Sequence, residues 1–161
     1  LRLIFTAYQN PNLARAVGLD SGFPLIGYRS IAKNLELIAD NAEDIAEIAM
    51  EAEGNTLDVD ESTMRRIRDF TDQVDEITEM AVESAVKRDY ALTIEVKYLF
   101  QELKDREQDI LTDLPEMSNA QLLQVREVLV SLQETAQYAM RIAEVSANLA
   151  LNEENEFVTI E

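Results

Sequence analysis

The residues of this chain best suited to bind a ligand are three carboxylates spaced along one segment. Glu36, Asp40 and Asp44 follow one another at intervals of four. In a helix this interval places the side chains in one strip on a single face. Such a strip of oxygen donors is typical of sites for a hard or borderline cation such as Mg, Ca, Mn or Fe. We therefore predict a metal site at these three residues; a solvated acidic face is the alternative.

A second set of carboxylates has the same spacing farther along the chain. Asp105, Asp109 and Asp113 also recur at intervals of four, but no apolar repeat frames them. For this set a solvated helix face is the expected role. The only basic cluster, Arg65-Arg66 with Arg68, lies among acids. We expect its members to pair with the neighbouring bundle rather than to bind an anion.

The segment that carries the first carboxylate strip recurs in degraded form. Residues 35–47 align without a gap to residues 132–144. The conserved pairs are 35/132, 39/136, 42/139, 45/142, 46/143 and 47/144. The acidic strip is not repeated, because Gln133, Gln137 and Arg141 stand where the first copy has its acids. A shared apolar frame with altered polar positions predicts one helical scaffold used twice, with the chemistry retained in at most one copy.

The composition predicts an all-α protein and excludes several kinds of chemistry. The chain of 161 residues is 47% hydrophobic and contains four Gly and three Pro, so it offers a core and few turns. It contains neither Cys nor His. Disulfides, Cys/His zinc sites, Ser-His-Asp triads and a His general base are therefore excluded.

The charge of the chain limits its partners. The net charge of −18 argues against direct binding to DNA, RNA or an anionic membrane. No apolar run approaches the roughly 20 residues that span a bilayer, so we expect no membrane insertion and a cytoplasmic location. Metal ions and basic surfaces of other proteins are the expected partners.

The hydrophobic spacing divides the chain into helices. Residues 1–9 resemble the end of a helix, Asn10-Pro11 begins a short helix that ends at Gly18, and residues 20–27 form a loop. From Tyr28 to Gly54 we predict a helix with a heptad seam. The predicted seam consists of Ile31, Leu35, Ile38, Ala42, Ile45 and Ala49.

Three further helices are predicted in the second part of the chain. Asp58 or Asp60 caps the first of them, Asp89 caps the second, and Ser118 with Gln121 forms a capping box for the third. Short connectors favour antiparallel packing. We predict that residues 1–54 are the remainder of one helical bundle, residues 58–151 a complete three-helix bundle, and residues 152–161 a polar tail with a strand-like segment at 157–160.

The repeated segment resembles the signature helix of the PhoU family of phosphate-uptake regulators. That signature reads Leu-Glu-Arg-Ile-Gly/Ala-Asp-His-Ala-x-x-Ile-Ala-Glu, and Leu37 and Asn41 replace its Arg and His. The first copy matches it at Leu35, Glu36, Ile38, Ala39, Asp40, Ala42, Ile45, Ala46 and Glu47. The second copy matches it at Leu132, Ala136, Ala139, Ile142, Ala143 and Glu144. Arg88-Asp89 is similar to the family's Arg-Asp step between its first two helices.

The resemblance implies a fold, a function and a ligand. The implied fold is all-α, with tandem antiparallel three-helix bundles of which the first is truncated at its N-terminus. Family members restrain phosphate import by contacting a transporter ATPase, and archaeal members often carry an AbrB-like domain upstream. Any DNA contact would then belong to a preceding segment. The family's metal clusters carry over to Glu36 and Asp40 only, since Gln133 and Gln137 depart from the motif.

We therefore expect a non-enzymatic regulator of phosphate uptake and phosphate homeostasis that acts by docking. A phosphate-transporter ATPase, another regulatory protein or a second copy of the chain is the expected partner. Two alternatives differ in class. One is a structural or oligomerising helical bundle. The other is a carboxylate-bridged di-metal protein, which normally uses Glu-x-x-His ligands that this chain lacks.

Overall fold

The computed structural model is built from helices throughout the part of the chain that it describes. The described residues are 6, 8–16, 18–19, 22–52 and 59–156, and they include no strand. Residues 6, 8 and 9 are helical. The helices that follow are α1 (Pro11–Ala16), α2 (Phe23–Ala52), α3 (Glu61–Lys87), α4 (Tyr90–Thr112) and α5 (Asn119–Glu156). The all-α prediction is confirmed.

Helix α5 is the central element, because it packs against α2, α3 and α4. Helices α3 and α4 also pack against each other and run antiparallel, since Arg66 near the start of α3 donates to the carbonyl of Asp109 near the end of α4. Thr93 at the start of α4 donates to the carbonyl of Ala143 near the end of α5. Helix α4 thus runs opposite to both of its neighbours.

The core lies between α3, α4 and α5, and apolar burial stabilises it. Its largest fully buried side chains include Phe70, Ile77, Leu103, Leu129 and Ile142. Each contributes on the order of 1.5–3 kcal/mol relative to an exposed position. Alanines at 136, 139 and 143 are also fully buried and allow the helices to approach closely. A hydrogen bond also joins α3 to α5, because the Ser146 hydroxyl donates to the carbonyl of Ser84 at 2.7 Å.

The predicted caps are present at the ends of these helices. Asp60 accepts from the backbone N–H groups of Ser62 and Thr63, and Asp89 accepts from Ala91. Ser118 and Gln121 bond each other's backbone N–H groups, which is the reciprocal pattern of a capping box. Asn10 and Gly18 likewise bound α1 as predicted, with Gly18 at a φ of 80°.

Helix α2 begins earlier than the sequence predicts. The predicted loop over residues 20–27 is wrong from Phe23 onward, where the helix starts with Pro24 in its first turn. Gly27 lies inside the helix against α5, and a Cβ there would come within 2.8 Å of a Leu149 methyl. The glycine therefore serves close helix packing rather than helix termination.

The seam of α2 also differs from the prediction. Ile31, Ile38 and Ile45 pack on the core as predicted, but Leu35, Ala42 and Ala49 are exposed. Asn34 and Asn41 are buried instead, and Asn41 contacts α5. The buried positions are thus one residue earlier than the predicted Leu35 and Ala42. At Asn41, two side-chain hydrogen bonds to α5 accompany this burial.

The end of the chain differs in one further respect. Helix α5 continues through Glu156, past the boundary predicted at residue 151. The strand predicted at residues 157–160 lies outside the described residues, as does the predicted helix end at Gly54. Among the described helices, none combines the length and the apolarity needed to cross a bilayer.

Candidate functional site

The predicted carboxylate strip lies on the outward face of α2. Glu36, Asp40 and Asp44 are all exposed, and the helix places them on one side as predicted. The Glu36 carboxylate already forms an ion pair, since Lys33 Nζ lies 3.0 Å from its Oε2. The lysine offsets part of the repulsion between neighbouring carboxylates.

The strip by itself does not form a closed set of metal ligands. Within the described ranges, no group of three or more His, Cys, Asp or Glu side chains is arranged to hold a metal ion. A single exposed helix face with one carboxylate paired to lysine supplies too few converging oxygens for a Ca or Mg site of six or more ligands. The strip alone therefore does not complete a metal centre, and the metal site predicted at Glu36, Asp40 and Asp44 stays a prediction.

Asp44 instead lines a groove between α2 and α5, here called the acidic groove. Its volume is about 500 Å³. Its apolar lining residues, here called the floor, are Ile48, Leu123 and Val130, and its charged lining residues are called the wall. Leu123 and Val130 are 57% and 42% exposed. The groove is lined by Asp44, Glu47, Ile48, Leu123, Arg126, Glu127, Val130 and Ser131. It therefore combines an open apolar floor with a mostly acidic wall.

One arginine interrupts the acidic wall, and its charge also acts on α4. Burial raises the pKa of the Glu107 carboxyl on α4, and the positive charge of Arg126 opposes this rise. Arg126 is thus close enough to Glu107 for their charges to interact, although it lines the groove. The carboxylates of Asp44, Glu47 and Glu127 outnumber it in the wall.

The contact between α2 and α5 contains a polar cluster of Asn41, Ser131 and Thr135 that was not predicted from the sequence. The Asn41 amide donates to the Ser131 carbonyl and to the Thr135 hydroxyl, both at 3.1 Å. Thr135 in turn donates to the Ser131 carbonyl at 2.9 Å. A buried asparagine in a helix seam specifies register. The available signal was the seven-residue interval between Asn34 and Asn41, in phase with the isoleucines.

The two copies of the repeat occupy different environments. Leu132, Ala136, Ala139 and Ala143 on α5 are buried by α3 and α4. Their counterparts on α2 are all exposed, and Leu35 retains 41% of its accessible surface. These counterparts are Leu35, Ala39, Ala42 and Ala46. Four positions of the apolar frame are thus buried in one copy and open in the other, whereas Ile45 packs on the core and Ile142 lies within it.

Part of this open face borders a second groove, here called the apolar groove, between α2 and the end of α3. Its volume is about 360 Å³. The Tyr28 hydroxyl accepts from Arg88 Nη2 at 2.6 Å and bridges the two helices at one end. The groove is lined by Tyr28, Ile31, Leu35, Val82, Ala85, Val86, Arg88 and Ile142. None of these lining residues is acidic, in contrast to the acidic groove.

The second set of carboxylates is engaged by Arg66 of the basic cluster, which contacts α4 rather than the other predicted bundle. Arg66 Nη2 donates to the Asp109 carbonyl at 2.9 Å and lies 3.3 Å from Asp113 Oδ2. Arg65 instead lies 3.7 Å from Glu61 on its own helix. The guanidinium of Arg66 therefore joins α3 to α4 and neutralises part of this set.

Comparison of this chain with protein-family models, with curated proteins and with solved structures finds no match.

Proposed function

We propose that this protein is a non-enzymatic regulator of phosphate uptake and phosphate homeostasis that docks, in the cytoplasm, onto a phosphate-transporter ATPase. One observation carries the proposal. The two copies of the PhoU-like motif lie on α2 and α5, and these helices pack against each other in opposite directions. A tandem repeat whose motif helices meet is what the family resemblance implies.

The proposal includes a division into tandem three-helix bundles. In this proposed division, α3, α4 and α5, which pack against one another, would form the second bundle, and α2 would belong to the first. The exposure of Leu35, Ala39, Ala42 and Ala46 supports this division, because the matching positions of α5 are those that two neighbouring helices bury.

Docking rather than turnover is the proposed mode of action. The acidic groove and the apolar groove flank α2 and expose apolar side chains to solvent. Exposed apolar surface beside charged residues is a mark of contact sites between proteins. The docking role does not depend on metal binding at Glu36, Asp40 and Asp44.

The test is genetic and biochemical. In the organism that encodes this chain, deletion of the gene is expected to leave phosphate import high when phosphate is abundant, and the wild-type gene is expected to restore the restraint. A tagged version is expected to co-purify the nucleotide-binding subunit of a phosphate transporter. Unchanged uptake of radiolabelled phosphate together with no recovered ATPase would remove the proposal.

A structural or oligomerising bundle is the second candidate. The exposed row of Leu35, Ala39, Ala42 and Ala46 on α2 favours it. If that row joins two copies, the chain sediments as a concentration-dependent dimer. Replacing Ala42 by Glu on α2 would then shift the distribution to monomer, because a carboxylate would be buried in the contact. Phosphate uptake would not respond to this substitution.

A further inference from the structure

The acidic groove has the two features that a helical ligand of opposite charge requires. Leu123 and Val130 on α5 are large apolar side chains that remain 57% and 42% exposed, although both lie beside the α2 contact. Ile48 of α2 completes this floor. Exposed apolar side chains that share a concave surface favour a ligand with an apolar face of its own.

The wall of the groove determines the charge of that ligand. Asp44 and Glu47 stand on α2, and Glu127 stands on α5. Arg126 is the one base among the described residues that line the groove, and its charge also acts on Glu107 of α4. The net charge of the whole chain is −18, so long-range forces add to the local preference for a cation.

The length of the groove matches a short helix better than a small molecule. Its α5 side runs from Leu123 to Ser131, which corresponds to about 12 Å along the helix axis. This distance covers about two helical turns, so apolar side chains at positions i, i+3 or i+4, and i+7 of a partner can reach the floor. Basic side chains beside them can reach the carboxylates of both walls.

We propose that the acidic groove binds a basic amphipathic helix of a partner protein, with apolar side chains on Ile48, Leu123 and Val130 and Lys or Arg side chains beside Asp44, Glu47 and Glu127. This inference rests on the proposed docking function and names its surface and the chemistry of its partner. The apolar groove on the opposite side of α2 is not the surface used, because it lacks the acidic wall.

The test measures peptide binding by fluorescence anisotropy on the intact chain. The probe is a labelled 18-residue peptide of leucine and lysine with leucines at helical intervals. One control peptide has the same composition in scrambled order, and another carries glutamate in place of lysine. We expect the helical peptide to bind about tenfold more tightly than the scrambled one. No binding by the glutamate peptide is expected.

Matched variants locate the binding surface. The L123S/V130S variant alters the floor and is expected to weaken binding about tenfold or more. The Glu47→Gln variant is expected to weaken binding at low salt and to reduce its salt dependence. Leu35→Ser, which alters the apolar groove at a side chain of similar exposure, is expected to change binding less than twofold. All of these side chains are at least partly exposed, and circular dichroism verifies folding.

Three outcomes would overturn the inference, and a fourth would remove the proposed function alone. Equal binding of the scrambled peptide means that charge alone attracts it. Loss of binding in Leu35→Ser but not in L123S/V130S assigns the peptide to the apolar groove. A dimer that the floor variant dissociates assigns the groove to a second copy of the chain. Peptide binding without an effect of deletion on phosphate uptake would retain the groove and remove the proposed regulator.

Discussion

The amide of Asn41 on α2 donates a hydrogen bond to the hydroxyl of Thr135 on α5, with 3.1 Å between the two atoms. The same amide bonds the Ser131 carbonyl, so one side chain connects two successive turns of the partner helix. Apolar seam residues tolerate sliding, whereas this contact is satisfied at one register only. The polar pair therefore specifies how α2 aligns with α5.

This relationship predicts a coupling that a double-mutant cycle can measure. Asn41→Ala and Thr135→Val are each expected to lower the free energy of unfolding, and their coupling energy is expected to be about 0.5–1.5 kcal/mol. Urea denaturation measures all four proteins. Asn34→Ala is the matched control, because the Asn34 amide bonds Ser30 on its own helix and should not couple to Thr135. Additive effects of Asn41 and Thr135 would contradict the assigned role.

The same Leu-to-Ala substitution is expected to lower the free energy of unfolding by different amounts in the two copies of the repeat. Leu132→Ala is expected to lower the free energy of unfolding by about 2–5 kcal/mol, because the side chain is 5% exposed in the core. Leu35→Ala at the equivalent position is expected to cost less than about 1 kcal/mol, since its side chain is 41% exposed. Chemical denaturation compares the two. A large cost at Leu35 would mean that another helix covers this face in solution.

The carboxylate strip predicts a stability that does not depend on metal. The double variant E36Q/D40N is expected to melt within a few degrees of the wild type, because it loses a surface ion pair and also relieves an i,i+4 repulsion. Added Mn, Mg, Ca or Fe(II) is expected to shift both proteins equally. Calorimetric melting and elemental analysis provide the measurements. Metal bound by the wild type and lost from the variant would establish the site predicted from the sequence.

The cap of α3 predicts a dependence on acid pH. Side-chain and backbone hydrogen bonds from Thr63, with further ones from Ser62, lower the pKa of Asp60 from 3.8 to about 2. A lowered folded-state pKa contributes stability above pH 3.8, and this contribution disappears as the pH falls to about 2. Asp60→Ala is therefore expected to be less stable than wild type at neutral pH, with the difference closing across that window. Thermal melts at several pH values measure it, and Asp72→Ala controls for loss of one charge.

Glu107 predicts a pH effect of opposite sign. Burial raises the pKa of this carboxyl above 4.5, with Arg126 opposing the rise, so the folded state holds its proton more tightly than the unfolded state. Stability contributed by the protonated form is then present below pH 4.5 and is lost as the pH rises through the folded pKa. Glu107→Gln is expected to raise the melting temperature at pH 7 and not at pH 3. An exposed control, Glu102→Gln, should show no such gain.

Local chemistry made several elements predictable from the sequence. Asp60, Asp89 and the pair Ser118–Gln121 cap their helices as predicted, because a cap depends on side-chain atoms within three residues of the bonded N–H. The interval of four also placed Glu36, Asp40 and Asp44 on one face of α2. Each of these outcomes depends on the geometry of a single helix.

The sequence-based predictions were wrong where contact with a neighbouring helix determines whether a residue is helical or buried. Gly27 suggested a break, but it lies inside α2 because Leu149 of α5 approaches too closely for a side chain. Ala42 was predicted to lie in the seam, but it is exposed and the adjacent Asn41 is buried. Ser131 and Thr135 of α5 provide the hydrogen-bond partners of Asn41. Neither partner can be identified from the spacing of residues in α2 alone.

The sequence by itself determined the helical class, the caps, the repeat and the carboxylate strip, since these follow from short-range spacing and composition. Only the tertiary structure decided which copy of the apolar frame is buried, which face of α2 meets α5, and that Asp44 lines a groove with Val130. The physical reason is that burial depends on which surfaces meet, and nearly equivalent frames acquire different environments when their neighbours differ.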